Sequence, residues 1–248
     1  MKTFFKISKI FVIGFAILLI GPLVKVCFKD GAEGPYHPKY HKTLPIDTTK
    51  AVIEVYGADA GRWQSSFSMH TWVALKKRNE EQFTIYEVVR ERVTQGLPVV
   101  NIWKGNPDRP WVGHAPRRLF YLEGENAEKS IPLIEQAIED YPYKKRYVVW
   151  PGPNCNTFTA YVARSVPNLG IVLPPNAIGK DFLPAKSFFT RAPSGTGYQC
   201  SLFGILGITV ALKEGLEMNC LGLSFGVALY HPGLLVPGVG KIAFSGAP

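Results

Sequence analysis

The stretch RYVVWPGPNCNTFTAYVARSV, residues 146–166, decides how this chain folds. After Arg146 it opens with β-branched and aromatic residues, a composition typical of a short buried strand. Beyond the turn residues PGPN, apolar side chains recur at helical spacing until Pro167 ends the pattern. These side chains are Phe158, Tyr161, Val162 and Val166. The stretch therefore predicts a strand, a turn and an amphipathic helix that begins at Cys155.

The chain before this stretch has the composition of a β-sheet. Four segments are rich in β-branched and aromatic residues and are separated by polar turns, which predicts an antiparallel meander. These segments are 51–58, 67–75, 83–90 and 98–103. Segment 126–141 places Ile131, Ile134 and Ile138 on one face and predicts a second amphipathic helix. The expected class is α+β.

The C-terminal part, residues 174–248, is dense in Gly and Pro and contains two long apolar runs, 201–212 and 218–240. The first run is too short to span a bilayer, and polar, Pro and Gly residues interrupt the second. Both runs predict buried β-hairpins that cover the core. We therefore expect one domain over 51–248, with a core over 51–173 and a Gly/Pro-rich β extension over 174–248.

Residues 1–30 contain an uncharged segment, Ile10–Val24, with lysines on both sides. This pattern predicts a signal anchor that crosses a membrane as one helix, followed by a linker over residues 31–50. A cleaved signal peptide is the alternative, but a small-x-small cleavage site is missing. The basic residues before the span favour a cytoplasmic N-terminus, which would place the domain outside the cytoplasm.

The charge balance restricts the classes of partner. The 248 residues include 28 Lys and Arg against 19 Asp and Glu, a formal charge of +9. No nucleic-acid recognition motif accompanies this charge, so we assign it to the anchor and a basic surface that faces a membrane, and expect no nucleic-acid partner. The four cysteines show no metal-ligand spacing, so we expect no metal and no cofactor. At most one disulfide is expected, between Cys200 and Cys220.

One pair of residues has the properties of a catalytic site. Free N–H groups and the positive end of the dipole at a helix start stabilise a thiolate, so Cys155 is a candidate nucleophile. His70 lies within a predicted strand that could neighbour strand 146–150, and is the candidate base. Glu87 or Tyr86, on the next strand, would orient the imidazole. A register shift of one residue decides which of the two faces His70.

Three further residues, together with Tyr86, are candidates for contacting a substrate. Asn154 and Asn156 flank the cysteine and predict an oxyanion donor or a helix cap. Trp150, like other tryptophans of the chain, could line a groove for a sugar, a peptide or an acyl chain. The alternative interpretation is structural, with a small buried cysteine and a histidine that supports the strand.

The order of a strand histidine, antiparallel strands and a helix opened by Asn154 and Cys155 resembles the circularly permuted branch of the papain-like NlpC/P60 superfamily. That branch includes the lecithin retinol acyltransferase-like proteins. The resemblance covers roughly residues 51–167 and implies a papain-like antiparallel sheet packed against helices. It also implies hydrolysis or acyl transfer at an amide or ester bond, with Cys155 as nucleophile and His70 as base.

A second resemblance covers most of the chain beyond the linker. The strings HTWVALK, YPYKKRYVVWPGPNCNTF, LPPNAIGKDFLP, RAPSGTGYQCSLFGILG and EGLEMNCLGLSFG are similar to a bacterial domain family of unknown function found in envelope proteins. In that family Ser often takes the position of Cys155. The resemblance implies a single-pass protein of the bacterial inner membrane with its domain on the extracytoplasmic side.

Two hypotheses follow from the sequence. The first is a membrane-anchored envelope hydrolase or acyltransferase that uses Cys155, His70 and Glu87 on peptidoglycan or lipid. The second is a catalytically inactive binding or scaffold domain of the envelope.

Overall fold

The protein is described by a computed structural model that covers residues 2–27, 47–61, 64, 66–184 and 187–244. Most of the predicted linker over 31–50 therefore lies outside the described residues, as do Met1 and residues 28–30 of the predicted anchor segment.

The N-terminal helix α1 spans Lys2–Cys27. Among the residues that the structure describes, no helix combines the length and the apolarity that a membrane crossing needs. The transmembrane helix predicted from the sequence is thus not found there. The C-terminal end of α1 contacts the rest of the protein, since Lys25 Nζ lies 2.9 Å from the Asp59 carboxylate.

The first sheet has five antiparallel strands in the order β4-β3-β2-β1-β5. The strands are β1 (Val52–Asp59), β2 (Met69–Lys76), β3 (Phe83–Val88), β4 (Val100–Gly105) and β5 (Arg117–Glu123). The antiparallel meander predicted for β1 to β4 is confirmed. Strand β5 was not predicted, because it begins with two arginines and pairs only with β1 at the sheet edge, where its side chains stay exposed or half-buried.

Helices α3 (Glu125–Glu139) and α4 (Cys155–Ser165) pack on one face of this sheet, and a short helix α2 (Arg90–Thr94) follows β3. The buried face of α3, which includes Ile131, Ile134 and Ile138, joins the side chains of the sheet and of α4 in the main core. The α+β class is thereby confirmed.

The prediction of a strand over residues 146–150 is wrong. The Val148 N–H donates to the Pro153 carbonyl 2.8 Å away, inside the same loop. A backbone group used within a loop is not available to a sheet, and Pro151 and Pro153 offer no N–H of their own. The segment before α4 is therefore an irregular loop.

The second sheet has seven antiparallel strands in the order β12-β11-β10-β9-β8-β7-β6, so strands that are consecutive in the chain are neighbours in the sheet. The strands are β6 (Phe189–Arg191), β7 (Gly197–Leu202), β8 (Leu206–Ala211), β9 (Gly215–Cys220), β10 (Leu223–Ala228), β11 (Gly233–Val236) and β12 (Gly240–Ala243). The β-hairpins predicted here are confirmed. The expectation that their apolar residues are buried is wrong, because polar side chains such as Gln199 and Asn219 face inwards and apolar ones such as Tyr198 and Val210 face outwards.

A buried cluster of charges joins the second sheet to the rest of the domain. Lys180 Nζ lies 3.0 Å from Asp181 Oδ1 and also pairs with Glu217 of β9. Asn219 donates to Asp181 Oδ2 at 2.6 Å. The inward polar residues of the sheet thus find their partners in the loop that follows α4.

All four cysteines lie within the described residues and are free thiols. The disulfide between Cys200 and Cys220 that the sequence allowed is therefore not formed.

Candidate functional site

Cys155 is the first residue of α4, and the chain holds it there through a side-chain cap. The side-chain oxygen of Asn154, Oδ1, accepts hydrogen bonds from the N–H groups of Asn156 and Thr157 at 3.0 and 3.1 Å. Thr157 Oγ1 in turn accepts from the Asn154 N–H at 3.1 Å, which completes a capping box. Of the two roles predicted for Asn154, the structure therefore shows the helix cap.

Asn156 fastens the start of α4 to the start of β2. Its Nδ2 donates to the Met69 carbonyl at 2.9 Å and to the Ile178 carbonyl at 2.8 Å, while its Oδ1 accepts from the Thr71 hydroxyl at 2.9 Å. These buried bonds fix Cys155 beside the strand that carries His70. Asn156 lines the same cavity as Cys155, but its amide is already bonded to the protein.

The structure brings Cys155, His70 and Glu87 together. His70 Nε2 lies 3.2 Å from Glu87 Oε2, and both side chains are buried. The Cys155 sulfur lies beside His70 on the same cavity, and the charge of each group shifts the pKa of the other. Because Nε2 is bonded to Glu87, Nδ1 is the ring nitrogen left for the thiol. The carboxylate, the imidazole and the sulfur therefore lie next to one another in that order.

Strand register selects Glu87 over Tyr86 as the partner of His70. Trp72 pairs with Glu87 and Val73 pairs with Tyr86, so Glu87 shares the His70 face of the sheet. Tyr86 points the other way into the main core and does not line the cavity at Cys155.

Glu87 is held by three further side chains, none of which was predicted as its partner. Trp103 Nε1 and Asn101 Nδ2 donate to Oε1 at 2.9 and 3.3 Å, and Arg109 Nη2 donates to Oε2 at 2.7 Å. Trp111 stacks on the His70 ring with the ring centroids 3.7 Å apart. The Glu87 carboxylate and the Trp111 ring thus fix the orientation of the His70 imidazole.

The charges of the three groups stabilise one another. Burial raises the pKa of Glu87, but the His70 hydrogen bond and the Arg109 charge outweigh it and lower the pKa to about 2. Burial lowers the pKa of His70, but the negative charge of Cys155 and the bond to Glu87 raise it to about 9. Burial likewise raises the pKa of the Cys155 thiol, and the His70 charge outweighs that effect and lowers it. This geometry favours a thiolate paired with an imidazolium.

Tyr147 is a site residue that the sequence reasoning missed. It lines the same cavity as Cys155, and its pKa is raised, first by burial and then by the negative charge of Cys155. The residue lies in segment 146–150, whose composition pointed to a strand. Only the fold, in which this segment curls back beside the helix start, reveals its position.

A cavity of about 490 Å³ opens beside Cys155, a size typical of small-molecule sites. Most of its lining is apolar or aromatic and comes from the first sheet, the loop before α4, the second sheet and α1. Trp150 lines this cavity, as predicted, and its indole N–H donates to the Leu221 carbonyl at 2.9 Å. Among the described residues, no group of three or more His, Cys, Asp or Glu side chains could hold a metal ion.

Comparison with known proteins identifies a family but no curated relative. Searches of the curated proteins and of the solved structures found no match. The family model described as "Protein of unknown function (DUF3750)" matches residues 50–182, which is more than half of the chain. The matched region contains Cys155, His70, Glu87 and Tyr147. The chain therefore belongs to the family of proteins of unknown function called DUF3750.

Proposed function

We propose that this protein is a cysteine-type hydrolase or acyltransferase that acts on an amide or ester bond. The observation that carries the proposal is that His70 is hydrogen-bonded to Glu87 and lies beside Cys155 in a cavity large enough for a substrate. A nucleophile, a base and a group that orients the base are the parts that nucleophilic acyl transfer needs.

In the proposed reaction the Cys155 thiolate attacks the carbonyl carbon of the substrate and forms a C–S bond. The carbonyl oxygen takes up the negative charge, and the Tyr147 hydroxyl, which lines the same cavity as Cys155, is the proposed donor that stabilises it. As the intermediate collapses, the C–N or C–O bond breaks and His70 gives its proton to the leaving amine or alcohol.

The second half of the reaction frees the enzyme. Water or an acceptor alcohol attacks the thioester carbonyl while His70 takes its proton, and Cys155 leaves as the thiolate. Water as acceptor makes the protein a hydrolase, and an alcohol or amine makes it a transferase. Glu87 stays ionised throughout and holds the imidazole in place, since its pKa lies far below neutral pH.

The order of elements supports a papain-like arrangement of this site. A histidine on an antiparallel strand and a cysteine at the start of a helix packed on that sheet are the features that the resemblance to permuted NlpC/P60 proteins rests on. The apolar lining of the cavity favours a lipid over peptidoglycan as the substrate, because sugar rings and peptides need more polar partners than this cavity offers. The location in a bacterial envelope and the membrane anchoring stay predictions.

The pH dependence of Cys155 alkylation tests the proposal. The full chain is treated with iodoacetamide from about pH 5 to about pH 10, and modification of Cys155 is followed by peptide mass analysis, which separates it from the three other thiols. We expect the alkylation rate of wild-type Cys155 to have reached its maximum already at neutral pH. In His70→Asn the profile should move to that of an ordinary thiol, with a rate at pH 7 lower by roughly thirtyfold.

A matched variant and a chemical readout complete the test. His114→Asn removes a histidine outside the site and should leave the profile unchanged. Incubation with p-nitrophenyl octanoate should leave an octanoyl thioester on Cys155 in the wild type and none in His70→Asn. If wild-type Cys155 titrates as an ordinary thiol and forms no thioester, the protein is not an acyl-transfer enzyme, and the cavity belongs to a binding domain.

A further inference from the structure

The outward face of the second sheet carries a continuous row of apolar side chains. Cross-strand pairing aligns one residue from each of the strands β7 to β12. The row consists of Tyr198, Val210, Leu216, Val227, Leu234 and Ile242. Each of these side chains is between 39% and 56% exposed. With strands about 4.8 Å apart, the row is about 24 Å long.

A second apolar row runs beside the first. Pairing aligns Phe189 with Cys200, Cys200 with Ile208, and Ile208 with Met218, all on the same face. Phe189, Ile208 and Met218 are each more than 40% exposed, and Cys200 is also exposed. Scattered apolar residues are normal on a protein surface, but two adjacent rows across a whole sheet are not. We call these two rows the outer face.

The other side of the same sheet is polar and buried. Gln199, Thr209, Glu217, Asn219 and Ser224 alternate with the outer-face residues and are at most 6% exposed. A half-buried sheet in water ordinarily shows the reverse pattern, with apolar residues towards the core and polar residues towards the solvent. This inversion indicates that the outer face meets an apolar environment.

The charges around the outer face select the kind of environment. In residues 187–244 the accessible charged side chains of Arg, Lys, Asp and Glu are all cationic. Arg191 lies on the outer face, because it pairs with Tyr198. Lys213 donates to the Gly170 carbonyl, and Lys241 pairs with the buried Leu235 and so lies on the opposite face of the edge strand. The two carboxylates in this region are buried, since Glu214 accepts from the Ser194 N–H at 2.8 Å and Glu217 pairs with Lys180. Two copies packed face to face would bring like charges together, whereas anionic lipid headgroups complement them.

Helix α1 continues the apolar surface. Gly21 packs against Val236 and the backbone of Pro237 so closely that a side chain would not fit. Beside this contact, Ile20 and Leu23 of α1 are both 54% exposed. The last turns of α1 therefore extend the outer face at its β11 end.

We propose that the outer face docks onto the surface of an anionic lipid bilayer. The apolar rows lie at the boundary between headgroups and acyl chains, and the Arg191 side chain contacts the headgroups. This proposal does not depend on the chemistry of Cys155. Docking would also place the cavity near lipid, because the exposed Trp150 and Leu221 line it.

A fluorescent label on the outer face tests docking apart from any binding by α1. In the full chain, Cys27→Ser, Cys155→Ser and Cys220→Ser leave Cys200 as the single thiol, which is labelled with bimane. The protein is mixed with vesicles of phosphatidylcholine and phosphatidylglycerol. We expect a blue shift of the bimane emission and quenching by nitroxide-labelled lipids. The control carries Cys200→Ser and Ile102→Cys, which places the label on β4, and should show neither effect.

Two outcomes overturn the proposal. In the first, the protein floats with the vesicles while the label on Cys200 keeps its aqueous emission, so that another segment binds the lipid. In the second, the emission shifts without vesicles and sedimentation shows a dimer, so that a second copy covers the outer face.

Substitutions on the outer face provide an independent measurement. In the double variant Val210→Glu, Leu234→Glu, the lipid concentration needed for the same emission shift at Cys200 should rise by roughly a hundredfold, because two apolar contacts are replaced by charges. Ile102→Glu with Leu133→Glu changes two equally exposed apolar residues elsewhere and should leave it unchanged. Equal behaviour of the two variants would contradict docking by this face.

Discussion

Glu87 is the residue on which the electrostatics of the site depend. Its carboxylate accepts hydrogen bonds from two ring nitrogens, one amide and one guanidinium while it is almost completely buried. A buried carboxylate is stable as an anion only when such partners compensate for lost water. The four donors therefore keep the negative charge that holds His70 in its cationic form.

Glu87 makes the stability of the fold sensitive to acid. Its pKa is about 2 in the folded protein against an ordinary value of 4.5. A lowered pKa contributes stability that is complete above pH 4.5 and is lost as the pH falls towards 2. Urea unfolding across this range should show wild type losing up to about 3 kcal/mol relative to Glu87→Gln.

Glu54→Gln is the matched control for this measurement. Glu54 also lies on the first sheet and is bonded to an arginine, Arg118, at 2.8 Å. Burial raises its pKa despite that bond, so wild type should gain stability relative to Glu54→Gln as the pH falls. A gain of wild-type stability relative to Glu87→Gln as the pH falls would show that the pKa of Glu87 is not lowered.

At this scale the sequence reasoning reached Cys155, His70 and Glu87, because a helix start and two adjacent strands are visible as local patterns. It left Glu87 and Tyr86 open, since one residue of register turns a side chain to the other face. Arg109 and Tyr147 could not be predicted, because both lie in irregular loops whose path only the tertiary fold determines.

At the scale of elements, α4 depends on Asn154. This side chain caps the helix and also donates from Nδ2 to the carbonyls of Val149 and Ile178 at 3.0 and 3.1 Å. Gly179 lies against the Asn154 amide with a φ of +100°, where a Cβ would collide with that amide. One side chain thus connects the helix start, the loop before it and the loop after it.

We expect Asn154→Ala to lower the free energy of unfolding by about 2 kcal/mol, because it removes a helix cap and both Nδ2 hydrogen bonds. The Ile178 carbonyl keeps Asn156 Nδ2 as a donor, whereas the Val149 carbonyl loses this one. Urea unfolding followed by circular dichroism measures the change. Asn154→Asp restores the acceptor but not the donors, and should recover only part of the loss. Gln136→Ala, which removes an exposed hydrogen bond on α3, should change stability by less than about 0.5 kcal/mol. Full recovery by Asn154→Asp would mean that Nδ2 contributes nothing.

At the scale of the whole molecule, the two sheets have opposite character. The first sheet buries apolar side chains under α3 and α4, as its sequence pattern predicted. The second sheet has alternating residues that predicted strands equally well. Alternation alone does not show which face is buried, and the partner for the polar face is Lys180 and Asp181, in a loop between the two sheets. The strand sequences alone therefore could not predict that the polar face of the second sheet is the buried one.

Lys180 is the cation that holds this junction together. In Lys180→Met, Asp181 and Glu217 would remain buried without it, and we expect a loss of about 3–5 kcal/mol in the free energy of unfolding. Chemical denaturation measures this loss. Lys129→Met breaks an exposed ion pair with Glu125 and should cost less than about 1 kcal/mol. Similar small losses in both variants would show that the junction does not depend on the charge.

The stacking of Trp111 on His70 also has an optical consequence. A protonated imidazole quenches the fluorescence of an indole ring in contact with it, and a neutral imidazole quenches it less. Trp72 lies near the same ring, with centroids 5.7 Å apart. The intrinsic emission of the protein should thus brighten when His70 loses its proton, so that the site reports its own charge state without any added dye.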